Sequence, residues 1–183
     1  GAAARLPAST MVTIDDTTAA KRNADVAGAI WRALGDVMDP EIPVVSIVEL
    51  GIVRDVQVVD GRCTITLTPT YSGCPATQVI EHDARLAVTR AASCDVDMRT
   101  VLAPAWTTDW VAPEARARLA AFGVAPPARA DGAAVVTLHR RAIRCPHCGS
   151  ARTEELSRFG STPCKAQYRC IDCREPFDYF KPH

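Results

Sequence analysis

The chain has 183 residues, of which 48% are hydrophobic and 23% charged. That composition is globular and excludes wholesale disorder, and the apolar runs are too short to span a membrane. The formal net charge is zero, so a chain-wide attraction to nucleic acid is not supported.

The average conceals a change of sign. Residues 1–138 carry 12 Lys/Arg against 16 Asp/Glu, and residues 139–183 carry 9 against 5. A step from −4 to +4 along one chain marks two modules. The cysteines divide in the same way. Cys145, Cys148, Cys164, Cys170 and Cys173 crowd the end of the chain, whereas Cys63, Cys74 and Cys94 are scattered through the first module. Residues 1–22 read as a disordered tail. Arg5 is followed by no hydrophobic run, so no secretory signal is expected. The Cys-x-x-Cys pairs then point to metal binding in a reducing cytoplasm rather than to disulfides.

In chain order, the first expected element is a helix over 24–38. Val26, Ile30, Ala33, Leu34, Val37 and Met38 form one apolar stripe, Asn23 or Asp25 caps the start, and Asp39-Pro40 ends it. A proline-bearing loop runs to Gly51. Ile52–Val59 and Arg62–Pro69 read as a hairpin around Asp60-Gly61, with Cys63, Ile65 and Leu67 on its buried face. Pro75 starts a second helix with a stripe of Ala76, Val79, Ile80, Ala84, Ala87 and Ala91. Asp95–Leu102 alternates as a third strand. Pro113 and Gly123 bound a short helix over 113–122. A linker is placed at 128–138, within a Pro/Ala/Gly-rich stretch that begins at 125. The closing module, 139–183, has strand-like pieces at 135–144, 153–157 and 177–180 and is too small to fold without a staple.

That staple is legible. Cys145-x-x-Cys148 and Cys170-x-x-Cys173 are separated by 21 residues, and each pair turns two thiolates toward one ion. Four thiolates fill a tetrahedral zinc shell and leave no open position, which describes a structural site. The same shell also holds iron or an iron–sulfur cluster. His147 lies within the first pair and is expected to be exposed. Cys164 is a fifth thiol, either a spare residue of its loop or a reactive one whose pKa Lys165 would lower on close approach.

Cys74 precedes the second helix. It reads either as a thiolate-prone metal ligand or nucleophile favoured by the helix N-terminus, or as a small apolar residue packed in a turn. His82, farther along that helix, reads as a surface residue. Asp39 and Glu41 flank Pro40 and are either hard-metal or acid–base groups, or simply a helix end. Cys63 and Cys94 are expected in the core, and Trp106 and Trp110 in packing or at a contact surface.

DPEIPVVSIVELGIVRDV (39–56), TPTYSGCPA (68–76) and PAWTTDWVAPEARARLAAFGVAPP (104–127) together resemble the SufT-like family of iron–sulfur assembly factors over about 24–127. The ribbon CPHCGS with FGSTPCKAQYRCIDCREPFDYFK resembles the extra domain of one branch, accessory proteins of bacterial phenylacetyl-CoA epoxidase systems. The resemblance implies an α+β chain, with a small helix-on-mixed-sheet domain at 23–127 followed by a four-cysteine zinc ribbon. It implies that the family's reactive cysteine is Cys74 and its acidic motif Asp39 and Glu41. It also implies a maturation role, not an enzymatic one, toward the epoxidase reductase or oxygenase subunit, with a transient iron–sulfur cluster as cargo. The residues agree: no Glu-x-x-His pair suited to a di-iron centre and no flavin-type glycine fingerprint is present. One cysteine cannot close a cluster site, so a homodimer or a site shared with the client is expected. The basic ribbon, on its linker, would dock an acidic client surface. A non-catalytic structural adaptor of the epoxidase complex is the second reading. Nucleic-acid binding through the ribbon ranks below both, because the basic residues are evenly spread.

Overall fold

The computed structural model describes residues 16–127 and 142–182. Most of the expected tail and all of the expected linker lie outside them, as does the strand-like stretch at 135–141. The first helix, α1 (Asp16–Gly35), begins well before residue 24. Asn23 and Asp25 are therefore interior positions and not caps. The stripe still buries Ile30 and Leu34 completely, and Val37 reaches the core from the turn beyond.

The hairpin forms as its turn chemistry dictates. β1 (Val53–Val59) and β2 (Arg62–Leu67) pair antiparallel. Asp60 and Gly61 both adopt positive φ, 49° and 78°, which is the turn whose twist matches that of the strands. Cys63, Ile65 and Leu67 are buried on one face. The chain then crosses over through α2 (Thr77–Ala91) and returns as β3 (Asp95–Thr100), parallel to β2. The resulting sheet has the order β1-β2-β3.

Two expectations for α2 are corrected. The helix starts at Thr77, after Ala76, with no side-chain cap, so Pro75 lies in the preceding turn. The stripe it buries is Ala76, Ile80, Ala84 and Val88, at steps of four, whereas Val79 is exposed. Cys63 and Cys94 are also more than core residues: they form a disulfide that ties β2 to the turn before β3. The parallel register sets Cys63 opposite Val96, which brings Cys94 within a Cα–Cα distance of 6.0 Å, inside the range a disulfide spans.

The loop between α1 and β1 is built on reciprocal side-chain bonds. The Ser46 N–H donates to Glu49 Oε2 (2.9 Å) and the Glu49 N–H to Ser46 Oγ (3.2 Å), a capping box at the start of one short turn. Burial pushes the Glu49 carboxyl up, but hydrogen bonds from Arg118 and Ser46 outweigh it, so the net shift is downward. Arg118 belongs to α3 (Pro113–Ala121), which is bounded by Pro113 and by Gly123 at φ 92° as the sequence indicates.

The second module differs most from expectation. β4 (Val124–Ala125) lies where the Pro/Ala/Gly-rich stretch opens, yet it is a strand, and it pairs parallel to β7 (Pro176–Phe180). With β5 (Thr153–Ser157) and β6 (Lys165–Cys170) it makes a second sheet of order β4-β7-β6-β5. Phe180, from the ribbon, and Cys164 are members of the first module's core. The Phe180 ring lies 5.7 Å from that of Trp106, whose indole N–H donates to the Leu50 carbonyl at 2.9 Å. The ribbon is therefore seated on the first module rather than held away from it. Burying one phenylalanine contributes about 1.5–3 kcal/mol to that seam. Arg152, Lys165 and Arg169 pair with Asp172, Asp178 and Glu154 inside the ribbon; each pair takes up one charge of either sign, so the module's net positive balance is unchanged.

Gly51 offers a direct test of the first module's packing. Its φ is +69°, and a Cβ there would lie 2.6 Å from Trp110 Cβ. The Arg54 guanidinium lies 3.4 Å from the Trp110 ring centroid and helps to hold that ring. Gly51→Ala is expected to destabilise the protein by about 3 kcal/mol through strain and overpacking, read as a lowered urea midpoint with an unchanged m-value.

Candidate metal centre and cysteine pocket

The ribbon cysteines converge. Sγ atoms of Cys145, Cys148, Cys170 and Cys173 lie within 4.8 Å of one another. The Cys145–Cys173 and Cys148–Cys170 separations are 3.7 and 3.5 Å. A regular Zn–S tetrahedron has edges of about 3.8 Å, so this donor set fits zinc with little adjustment. Each knuckle is shaped by the backbone: the Gly149 N–H donates to the Cys145 carbonyl, and the Cys170 N–H to the Glu175 carbonyl. Gly149 takes φ 75° and Arg174 φ 67°, the left-handed positions that close these turns.

The surroundings shift these thiols in opposite directions. The Cys173 N–H holds the Cys170 thiol down to about 7. Cys173 is pushed up to about 12: the Glu175 N–H favours its thiolate, but burial and the three neighbouring thiols oppose it. A divalent ion held by these four cysteines would favour all four thiolates and displace their protons. His147 is exposed, as expected, and packs toward Gly123.

A second group of candidates surrounds a pocket at the seam. Asp39, Glu41, Cys74 and Cys164 line it together with apolar side chains that include Ile52, Leu67 and Phe180. The structure thus brings together Cys74 and the acidic pair, which are far apart in sequence. It adds Cys164 from the other module, a placement that Cys-x-x-Cys spacing could not reveal. Asp39 is held by its own loop, since its Oδ1 accepts from the N–H groups of Glu41 and Ile42, both at 2.9 Å. Burial raises its pKa above the usual carboxylate value, against those two hydrogen bonds. Cys74 lies one turn before α2, and its carbonyl accepts from the Thr77 N–H. It is partly exposed, so the pocket is reached from solvent on its side. His82 is exposed on α2.

Cys164 does not behave as the neighbouring lysine suggests. It sits immediately before β6, in the core. Burial pushes its thiol up, and Lys165 and a hydrogen bond from Thr162 only partly offset this.

Comparison with known proteins agrees with this division. Residues 130–181 match the family model for the PaaD zinc beta ribbon domain, and residues 28–97 that for an iron–sulfur cluster assembly protein. A protein of Escherichia coli (strain K12) is 49% identical over 152 residues, covering 83% of this chain and 90% of the other. This chain belongs to the PaaD family. The E. coli relative is named as a subunit of "Putative 1,2-phenylacetyl-CoA epoxidase". The chain is also 37% identical over 92 residues to the Fe-S protein maturation auxiliary factor of Porphyromonas gingivalis (strain ATCC BAA-308 / W83), covering 49% of this chain and 87% of that one. A crystal structure of a DUF59 domain from Bacillus anthracis matches with a TM-score of 0.52 and 28% identity, covering 55% of this chain and 96% of that one. Among the described residues, no helix is long and apolar enough to cross a membrane.

The ribbon ion and the seam are mechanically connected, because Cys170 ends β6 and β6 pairs with the strand that carries Phe180. Stripping the metal with a strong chelator is expected to unseat Phe180 and to change the emission of buried Trp106. Re-addition of one equivalent of zinc per chain is expected to restore it.

Proposed function

We propose that this chain is an accessory maturation factor of a phenylacetyl-CoA epoxidase system, cytoplasmic and non-enzymatic, that assists delivery of iron or an iron–sulfur cluster to the reductase or oxygenase subunit. In this reading the assembly unit at 23–127 performs the transfer, and the zinc-bearing ribbon at 139–183 is structural. The observation that carries it is the convergence of Cys74, Asp39 and Glu41 on one pocket at the foot of α2. Cys74 supplies a soft ligand at the solvent-facing side, and the carboxylates supply hard ones, a mixed set suited to iron. Apolar walls limit water and so slow the loss of a loosely held cargo. The match to the iron–sulfur cluster assembly family model, residues 28–97, contains Cys74, relatives named as maturation factors match just under half of the chain, and the relative named as an epoxidase subunit matches 83% of it. A cluster needs about four protein ligands, so transfer proceeds through a site shared with the client or with a second copy.

The test is client loading. The epoxidase reductase is co-expressed anaerobically with the wild-type chain, with Cys74→Ser or with Asp39→Asn, and its iron and acid-labile sulfide are measured. Asn keeps the oxygen that accepts the two loop N–H groups, so this variant preserves the local fold. Loading is expected to fall to the level seen without the accessory chain for Cys74→Ser, and severalfold for Asp39→Asn. Full loading with Cys74→Ser would sink the transfer reading and favour a structural adaptor.

A further inference from the structure

The ribbon ion uses four of the five cysteines in its module and leaves Cys164. That residue is not loosely placed. The Gly160 N–H donates to the Lys165 carbonyl, the Lys165 N–H to the Thr162 carbonyl, and the Lys181 N–H to the Cys164 carbonyl. A Cβ on Gly160 would lie 3.0 Å from Asp178 Oδ1 and 3.3 Å from Lys165 Cβ, so the turn is tightly packed there. The Cys164 Sγ rests 3.1 Å from Thr162 Oγ1. Cys164 and Asp39 are 6% and 8% exposed, yet both line the space that Cys74 lines from the solvent side. Among the hydrogen bonds of the described residues, both loop donors go to Asp39 Oδ1, which leaves Oδ2 free to bind something else. The space between these side chains, open to solvent on the Cys74 side, is about 20 Å³, room for one water-sized particle. That is sufficient for one ion.

We propose that Cys164 and Cys74, one thiol from each module, form with Asp39 a composite site for a single thiophilic divalent cation. The proposal rests on the reading of Cys74 as a transfer residue, and it assigns the ribbon a ligand in that site as well as a structural ion. Two sulfurs and one carboxylate oxygen suit Fe²⁺, Co²⁺ or Zn²⁺ better than Mg²⁺ or Ca²⁺. The ligand atoms do not yet converge as the ribbon thiols do; among the described residues only the ribbon set has three or more within 4.8 Å. Side-chain rotation around the cavity closes the site on the ion. Entry of M²⁺ forms two M–S bonds and one M–O bond, and the two thiol protons leave to solvent through the open Cys74 side. No electron is transferred. Lys165, 4% exposed and 3.6 Å from Asp178, places a buried cation beside the site and offsets the charge of the two thiolates and the carboxylate.

The experiment is an anaerobic Co²⁺ titration of the full chain with zinc already in the ribbon. Cobalt lies below zinc in affinity order, so the ribbon keeps its ion, and zinc content is measured for every variant to show this. The wild type is expected to take up one Co²⁺ with a thiolate-to-cobalt charge-transfer band. Cys74→Ala and Cys164→Ala are each expected to halve the band per bound ion and to weaken binding by about 100-fold or more, beyond what loss of a supporting contact costs. Cys164→Ser, which preserves packing, is expected to behave as Cys164→Ala. Absence of cobalt uptake by the wild type would overturn the proposal, as would wild-type affinity and band intensity in both zinc-replete Cys164 variants. If Cys164 variants bind as wild type while Cys74→Ala does not, the composite site falls and the transfer role of Cys74 stands. Client loading judges that role separately.

Discussion

Phe180 belongs to one module by sequence and to the other by packing. Its ring is almost fully buried against Trp106, within the core that α1, α2 and the first sheet create. The position of Cys164 follows from this contact, because the same edge-to-edge pairing that fixes Phe180 opposite Lys165 fixes the start of β6. The pocket follows in turn, since its ribbon-side wall is Phe180 and Cys164. A small ribbon supplies too little apolar area to hold this arrangement alone. The four-thiol ion holds the knuckles, the knuckles hold β6 and β7, and those strands hold the seam.

The pocket itself shows how a protein keeps polar ligands in an apolar place. Asp39 is tolerated at depth because two backbone N–H groups meet one of its oxygens, and buried polar groups without partners are costly. Cys164 is tolerated because a thiol is nearly apolar while protonated. Burial favours that form, and the nearby Lys165 only partly opposes it.

Much of this was legible in the sequence, and the exceptions have physical causes. Asp60-Gly61 declared its hairpin because few residues tolerate two consecutive positive φ angles, and Pro113 and Gly123 bounded α3 for similarly local reasons. The ribbon knuckles were legible because their ligands lie close together along the chain. The start of α1 was not, because residues 16–24 carry almost no apolar periodicity and extend an existing helix. The stripe of α2 was misassigned because alanine contributes weak hydrophobic contrast, so Val79 outweighed Val88. β4 is two residues long, and its strand character comes from β7. The Cys63–Cys94 bond depends on a parallel register across a crossover, and the meeting of Cys164 with Cys74 and Asp39 depends on a seam between distant segments. Each is a tertiary fact with no short-range signature.

The parallel pairing of Val124 with Asp178 has a kinetic consequence. No tight turn connects these strands, so nothing local nucleates their union, and a long loop must close before the contact yields any free energy. The hairpin of β1 and β2 and the metal knuckles are short-range and form early by comparison. The seam is therefore expected to form late in folding, which would make the cavity between the modules the last part of the molecule to acquire its walls.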